Sequence, residues 1–214
     1  MSFDAVFFDF GGVVLASPFE AFTSYECRVG LPPDAIRTIN ATNPDDNAWA
    51  HFERSAIGLD EFTRRFEAEA LALGFHVDAT EVLACLDGEV REPMVDLVRR
   101  CRERVTTALL TNNVVSMAAS DLDGGAGASR FAEALAHFDV IVESSKVGVR
   151  KPDPRFYELA CELAGVDPAR VVFLDDLGIN LKPARAMRMT TIKVGADYTV
   201  AIREVEQLLG LTPA

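Results

Sequence analysis

The chain has 214 residues, 49% of them hydrophobic, and its formal net charge is −12. This length can bury one well-formed core, or one core and a small second unit. A surface this acidic repels the phosphates of nucleic acids and of anionic lipids, so neither nucleic acid nor a membrane is expected as a partner.

The N-terminal stretch MSFDAVFF has no basic region and reaches Asp9 early, unlike a secretory signal. No apolar run approaches the ~20 residues that a membrane span needs. The four cysteines are widely spaced and form no CxxC pair, which gives little support to a zinc site or a disulfide framework. We therefore expect a cytoplasmic protein.

Five short apolar runs predict β-strands. In chain order they are Ala5–Phe8, Val105–Leu110, Val140–Val142, Val171–Leu174 and Thr191–Val194. Because these runs are nearly continuous rather than alternating, they suit a parallel sheet that is covered on both faces. Helical patterns begin near Pro93, Asp153 and Ile179, between the runs. This alternation predicts a Rossmann-like, doubly wound α/β core.

The stretch from 17 to 91 interrupts this alternation. It contains three helical patterns, PFEAFTSYECRVG, DDNAWAHFERSAIG and LDEFTRRFEAEALALG, and no convincing strand. We predict a small helical cap domain over residues 17–91, inserted into a core of residues 1–16 and 92–214. The alternative is that these helices pack directly on the sheet. Further along, the Gly-rich stretch SDLDGGAGASR from Ser120 predicts a loop.

Polar residues and glycines follow four of the five predicted strands. They are Asp9, Gly11 and Gly12 after the first, Thr111, Asn112 and Asn113 after the second, Lys146 and Lys151 after the third, and Asp175 and Asp176 after the fourth. Ligands of open α/β sheets bind at the carboxyl ends of the strands, so we expect these residues to meet at one edge.

This combination of residue types indicates phosphate chemistry with a metal. Carboxylates packed together repel each other unless a cation lies between them, and ligation by oxygen atoms alone suits magnesium. A hydroxyl, free backbone N–H groups and a lysine are suitable donors to a phosphate. A carboxylate can also act as a nucleophile and form an aspartyl-phosphate. Two glycines beside Asp9 would allow a tight turn and a close approach of the backbone to a ligand.

Four of these segments together resemble the motifs of the haloacid dehalogenase superfamily of hydrolases. They are FFDFGGV, LLTNN, RKPDP and VVFLDD, in the order that the family shows. The resemblance covers the whole chain, and the inserted helices lie where the family has a small helical cap. The longer string FLDDLGINLKPARAMRM resembles a branch with the phosphatase domain of soluble epoxide hydrolases, related acyl-CoA-dehydrogenase-associated domains and small bacterial sugar-phosphate phosphatases.

The resemblance implies a role for each motif residue. Asp9 would be the nucleophile. Asp9, Asp176 and the backbone carbonyl of Gly11 would bind Mg²⁺. Thr111, Asn112, Lys151 and Gly11 would hold the phosphate, with Lys151 also steadying Asp9. Asp175 and Asn180 would support these ligands. Lys146 is predicted to be a solvated loop residue. The implied function is a Mg²⁺-dependent phosphomonoesterase that acts on a small phosphorylated metabolite.

Gly11 departs from the family pattern, because phosphatases of the family usually have a second aspartate there that protonates the leaving oxygen. Such a group is typically worth ~10²–10⁴-fold in rate. The substrate would then carry a good leaving group, or a cap residue such as Glu53 or His51 would supply the proton, or the protein would be a weakly active or non-catalytic phosphate-binding protein. A 2-haloacid dehalogenase also lacks this aspartate, but that branch does not keep the acidic pair seen at Asp175 and Asp176.

Overall fold

The computed structural model describes residues 2–112 and 126–212, without the side chains of 126–130. Its centre is a five-stranded parallel sheet with the strand order β3-β2-β1-β4-β5. The strands are β1 (Ala5–Phe8), β2 (Thr106–Thr111), β3 (Val140–Glu143), β4 (Val171–Asp175) and β5 (Thr190–Lys193). Each lies within one residue of a predicted apolar run, and β1 and β4 are buried along their whole length.

Five α-helices lie between β1 and the helix that begins at Glu92 and leads back to the sheet. They are α1 (Pro18–Val29), α2 (Ala35–Ala41), α3 (Ala48–Glu53), α4 (Leu59–Ala72) and α5 (Ala79–Ala84). The three predicted helical patterns correspond to α1, α3 and α4, whereas α2 and α5 were not predicted. These helices bury a hydrophobic cluster of their own, which includes Phe22, Ile36, Phe62 and Phe66. The division of the chain into a core and a cap at residues 17 and 91 stays a prediction.

The two chain segments that connect these helices to the rest of the protein run side by side. Ala16 donates its backbone N–H to the carbonyl of Glu89 at 2.8 Å, and Leu15 forms an antiparallel bridge with Val90. The backbone N–H of Arg91 donates to the carbonyl of Val14. The entry and the exit of the helical segment are therefore tied together next to the residues that follow β1.

The remaining helices cover both faces of the sheet. They are α6 (Glu92–Arg102), α7 (Ala126–Leu135), α8 (Ser144–Val147), α9 (Pro154–Ala164), α10 (Gly178–Ala186) and α11 (Thr199–Leu209). On one face, α6, α7 and α11 pack against alternate strand residues such as Val6 and Phe8. On the other face, α9 and α10 pack against Ala5 and Phe7. This confirms the predicted doubly wound α/β fold.

The Gly-rich stretch from Ser120 was predicted wrongly in its second half. Residues 120–125 lie outside the described residues, but Ala126 begins α7, where a loop was expected. The helix places Phe131 against Phe10, with ring centroids 4.7 Å apart in an edge-to-face arrangement. Helix α7 has one glycine in ten residues and is rich in alanine, so its own sequence favours a helix, and the contact between Phe131 and Phe10 adds buried aromatic surface. Among the described helices, none has the length and apolar character needed to cross a membrane.

Candidate active site

The predicted site residues meet at the carboxyl end of the three central strands. Asp9 follows β1 directly, Thr111 ends β2 and Asp175 ends β4. Parallel pairing places these ends side by side, since Phe8 pairs with both Leu109 and Leu174. The fourth contribution comes from Lys151, in the loop between α8 and α9.

Lys151 is a buried cation that links two of the strands. Its side chain is only 1% exposed, and its Nζ atom lies 2.8 Å from Oδ1 of Asp9 and 2.8 Å from Oδ2 of Asp175. Burial lowers the pKa of Lys151, but the Asp175 and Asp9 carboxylates outweigh this effect and raise the pKa above its usual value. Lys151 therefore stays protonated and holds the two carboxylates together.

Asp9 is oriented by two donors. Its Oδ1 atom accepts a hydrogen bond from the backbone N–H of Phe10 at 2.6 Å, in addition to the contact with Lys151. Burial raises the pKa of Asp9 well above its usual value, Lys151 opposes the rise, and the neighbouring Asp175 and Asp176 add to it. One lysine does not offset three carboxylates, so this group of side chains favours an additional cation.

Asp175 and Asp176 are adjacent, but their surroundings differ. Asp175 is fully buried, and its two oxygens accept from Lys151, from the backbone N–H of Leu177 at 2.8 Å and from the side-chain amide of Asn180 at 3.1 Å. Asp176 is only partly buried. Burial and the Asp175 charge raise the pKa of Asp176 to about 6. Asp175 is thus already satisfied by protein donors, whereas Asp176 is the better placed of the two to bind a ligand.

Asn180 and Asn112 both act as supports for charged residues of the site. Asn180 is 4% exposed, and its backbone carbonyl accepts a hydrogen bond from the hydroxyl of Tyr157 at 2.7 Å. The side chain of Asn112 donates to the carbonyl of Lys151 and accepts from its N–H, both at 2.8 Å. Asn112 therefore fixes the backbone of the Lys151 loop, and its side-chain amide is occupied. Asn113 lies outside the described residues.

The two glycines after Asp9 have different roles. Gly12 has φ +76°, in the left-handed region, and a Cβ atom there would overlap the carboxylate of Asp176. Gly11 has φ −66° and ψ 130°, which any residue adopts, and a Cβ atom there would meet no other atom within 4 Å. The backbone thus comes close to a neighbouring group, the carboxylate of Asp176, at Gly12. At position 11 the structure does not require glycine.

The candidates outside the strand ends are placed as follows. Lys146 is 65% exposed and pairs with Glu143, which agrees with its predicted place in solvent. His51 contacts the exposed carboxylate of Asp46 at 2.8 Å. The tryptophan of α3, Trp49, is not one of these candidates, and it packs edge-on against Phe62 in the cluster of the inserted helices.

Two arginines at the site were missed by the sequence analysis. Nη1 of Arg91 donates to the carbonyl of Gly12 at 2.6 Å, and so holds the turn after Asp9. Arg150 lies 3.0 Å from the carboxylate of Glu53. In the sequence, only the position of Arg150 directly before Lys151 pointed to a role at the site. Its partner Glu53 is 97 positions away, in a helix whose position relative to the sheet cannot be predicted from the sequence.

The three aspartates form a candidate metal site. One carboxylate oxygen from each of Asp9, Asp175 and Asp176 lies within 4.8 Å of the others. The donor set consists of oxygen atoms alone, and two of its members have carboxylates whose pKa values are raised by crowding and burial. These properties fit a small, hard divalent cation.

Comparison with known proteins identifies the family. The model of the haloacid dehalogenase-like hydrolases matches residues 3–188. The chain belongs to this family. It is 31% identical to mouse acyl-CoA dehydrogenase family member 10 over 98% of this chain and 19% of the relative. It is 30% identical to pig bifunctional epoxide hydrolase 2 over 100% of this chain and 41% of the relative. The chain thus spans less than half the length of both relatives.

Shorter relatives and solved structures match over nearly their whole length. A Mycobacterium tuberculosis protein named Phosphatase MT3486 is 27% identical, with 97% of this chain and 96% of the relative covered. A family enzyme of Bacteroides thetaiotaomicron, solved with magnesium and inorganic phosphate, has a TM-score of 0.61 at 20% identity, over 92% of this chain and 96% of that chain. A dehalogenase with an intermediate complex has a TM-score of 0.67 at 18% identity, covering 97% of each chain. The fold is therefore shared with a family enzyme that was solved with magnesium and phosphate and with a dehalogenase.

Proposed function

We propose that the protein is a Mg²⁺-dependent phosphomonoesterase that acts on a small phosphorylated molecule in the cytoplasm, with Asp9 as the nucleophile. The observation that carries this proposal is the cluster of Asp9, Asp175 and Asp176 around a buried lysine. A phosphate ester needs both a cation and positive donors at the reacting group, and this edge of the sheet supplies sites for both.

Asp9, Asp176 and the backbone carbonyl of Gly11 would hold the metal. When bound, Mg²⁺ would neutralise charge on the phosphoryl oxygens and on the two carboxylates. Asp175 would stay with Lys151 and Asn180, which already satisfy its oxygens. Under this assignment the metal binds Asp176, which has fewer hydrogen-bond donors from the protein than Asp175 has.

The reaction would proceed in two displacements at phosphorus. A carboxylate oxygen of Asp9 attacks, the bond between phosphorus and the ester oxygen breaks, and the leaving group departs with its electron pair. Water then attacks the aspartyl-phosphate and releases inorganic phosphate and the free carboxylate. Lys151 and Thr111 would hold the non-bridging oxygens, together with the backbone N–H groups of Gly11 and Asn112.

Because position 11 is glycine, the expected substrates have good leaving groups, as acyl phosphates, aryl phosphates and anomeric sugar phosphates do. No side chain at position 11 can protonate the departing oxygen. His51 is committed to Asp46 on the surface of the helical segment. A leaving group that is stable as an anion removes the need for this proton.

The test is hydrolysis of a panel of phosphates with Mg²⁺ or with EDTA. We expect aryl and acyl phosphates to be hydrolysed only with Mg²⁺, and Asp9→Asn to lose turnover with its circular dichroism spectrum unchanged. Asp46→Asn, which removes an exposed carboxylate, is the matched control and should keep full activity. Consumption of 2-haloacids in EDTA would establish the dehalogenase alternative. Binding of phosphate without turnover of any member would establish a non-catalytic phosphate-binding protein.

A further inference from the structure

Glu53, the last residue of α3, connects the inserted helices to the loop that carries Lys151. Its side chain is 14% exposed, and Oε2 lies 3.0 Å from Nη1 of Arg150, whose side chain is 20% exposed. The indole N–H of Trp49 donates to Oε1 at 3.0 Å. The hydroxyl of Ser144 donates to the backbone carbonyl of Glu53 at 2.5 Å. Both the side chain and the backbone of Glu53 therefore contact the core.

Arg150 continues this connection to the catalytic edge. It directly precedes Lys151, and its Nε–H donates to the carbonyl of Lys151 at 3.3 Å. Lys151 in turn holds Asp9 through its Nζ atom. We propose that Glu53 is a positioning residue, which couples the seating of the inserted helices to the placement of the Lys151 loop through Arg150. This inference rests on the proposed function only in the role it gives to Lys151.

Folding stability does not explain a carboxylate at this position. Oε2 of Glu53 and Nη1 of Arg150 are close but not aligned as a hydrogen bond, and neither atom has another hydrogen-bond partner among the described residues. Burial raises the pKa of Glu53 to about 7, although Arg150, Trp49, Lys151 and Arg54 all act to lower it. A raised pKa means that the stabilisation by Glu53 is present at low pH and lost as the pH rises through about 7. The ionised form therefore costs stability, as buried ion pairs often do.

The donors around Glu53 indicate positioning rather than proton transfer. The indole of Trp49 and the guanidinium of Arg150 are both donors, so they hold the carboxyl group as an acceptor. The other charged groups that act on it are Lys151 from the same loop and Arg54 from the end of its own helix. Arg54 points elsewhere and donates to the carbonyl of Asp45.

Trp49 makes this connection measurable, since it is the only tryptophan of the chain and contacts Glu53 directly. In the wild type we expect its emission to titrate between pH 5 and 9 with a midpoint near 7. Glu53→Gln should remove the transition. Arg150→Gln should move the midpoint upward, because it removes the cation that lowers the pKa of Glu53 most. Arg54→Gln is the matched control and should leave the midpoint within about 0.3 of the wild type. An unchanged midpoint in Arg150→Gln would show that Arg150 does not contact Glu53, and would overturn the proposal.

The coupling is tested by adding inorganic phosphate with Mg²⁺ at pH 8 and measuring binding by calorimetry beside Trp49 emission. We expect the emission of the wild type to change with binding, and Glu53→Gln to bind phosphate without the change. The melting temperature of Glu53→Gln at pH 8 should equal or exceed that of the wild type. Coupling is refuted if phosphate binds the wild type without a change in Trp49 emission. It is also refuted if Glu53→Gln has a lower melting temperature than the wild type and its Trp49 emission still changes when phosphate binds.

Calorimetry separates this result from the proposed function. If phosphate fails to bind both proteins, the phosphate site is wrong, and the link between Glu53 and Arg150 is then decided by hydrogen exchange at the amides of residues 149–151. Glu53→Gln should accelerate exchange there by about three- to tenfold if the link holds. An unchanged rate would overturn it.

Discussion

Gly12 and Gly11 are neighbours in the turn after Asp9, but only Gly12 has a backbone and surroundings that require glycine. Gly12→Ala would place a methyl group on the carboxylate of Asp176 and force an alanine to φ +76°. We expect a loss of stability of about 1–2 kcal/mol and a higher Mg²⁺ concentration for half-maximal activity. Gly11→Ala is the matched control and should neither lower the stability nor raise the Mg²⁺ requirement, as measured by thermal unfolding and by Mg²⁺ titration of activity. Equal effects of the two substitutions would contradict the geometry of this turn.

A substitution at position 11 tests whether the missing acid makes the rate depend on the leaving group. Gly11→Asp restores the acid that most phosphatases of the family carry, and the backbone at φ −66° accepts it without strain. We expect turnover of alkyl phosphates to rise by ~10–10³-fold, less than a fully adapted acid would give, and turnover of aryl or acyl phosphates to rise much less. The measurement is kcat/KM against the pKa of the leaving group for both proteins. A uniform gain across the series would show that the missing acid is not what limits the rate.

At the scale of elements, the loop that carries Lys151 depends on a neighbouring strand end. Asn112→Ala would remove both hydrogen bonds to the backbone of Lys151. We expect kcat/KM for an aryl phosphate to fall by about tenfold or more, because the lysine is held less exactly against Asp9. Lys146→Ala removes an exposed lysine of the preceding helix and should have no effect on kcat/KM. If Asn112→Ala keeps full activity, the loop is held by other contacts.

The elements were predictable to different degrees. Nearly continuous apolar runs located the five described strands to within a residue. The pattern is plainest in β1 and β4, which are buried along their whole length and so have no polar side. The helical pattern predicted to begin near Asp153 agrees with α9, whose N-cap is Asp153. Helix α7 was missed because the glycines at 124, 125 and 127 obscured the alanine-rich sequence that follows them, and because its contact between Phe131 and Phe10 was not foreseen. Such a contact between distant positions is not visible in local propensity.

The site was predictable where topology alone brings residues together. Asp9, Thr111 and Asp175 meet because parallel strands end at one edge, and this follows from the strand order. Arg91 and Arg150 could not be predicted from the strand order. Arg91 reaches the carbonyl of Gly12, which is 79 positions away, and Arg150 meets Glu53 of the inserted helices. Glu53 was named as a possible acid, but its place beside Arg150 required the structure.

At the scale of the whole molecule, metal binding and folding stability should be linked. The pKa of Asp176 is raised to about 6, so its contribution to stability is present below the pKa of the unfolded state and is lost as the pH rises through about 6. We expect Mg²⁺ to raise the melting temperature at pH 8 and to have little effect at pH 5, where protonation competes with the metal. Asp176→Asn should raise the melting temperature of the metal-free protein at pH 8 by about 3 °C and abolish the response to Mg²⁺. A Mg²⁺ response that is the same at both pH values would contradict this linkage.

The measurement that tests the central claim most directly is the binding of beryllium fluoride, which mimics a phosphoryl group on a carboxylate. Calorimetry should show that the wild type binds it in the presence of Mg²⁺ and not in EDTA. Asp9→Asn should bind none, while Asp46→Asn should bind as the wild type does. Binding to Asp9→Asn with unchanged affinity, or hydrolysis of phosphate esters by a wild type that does not bind beryllium fluoride, would contradict a covalent mechanism on Asp9.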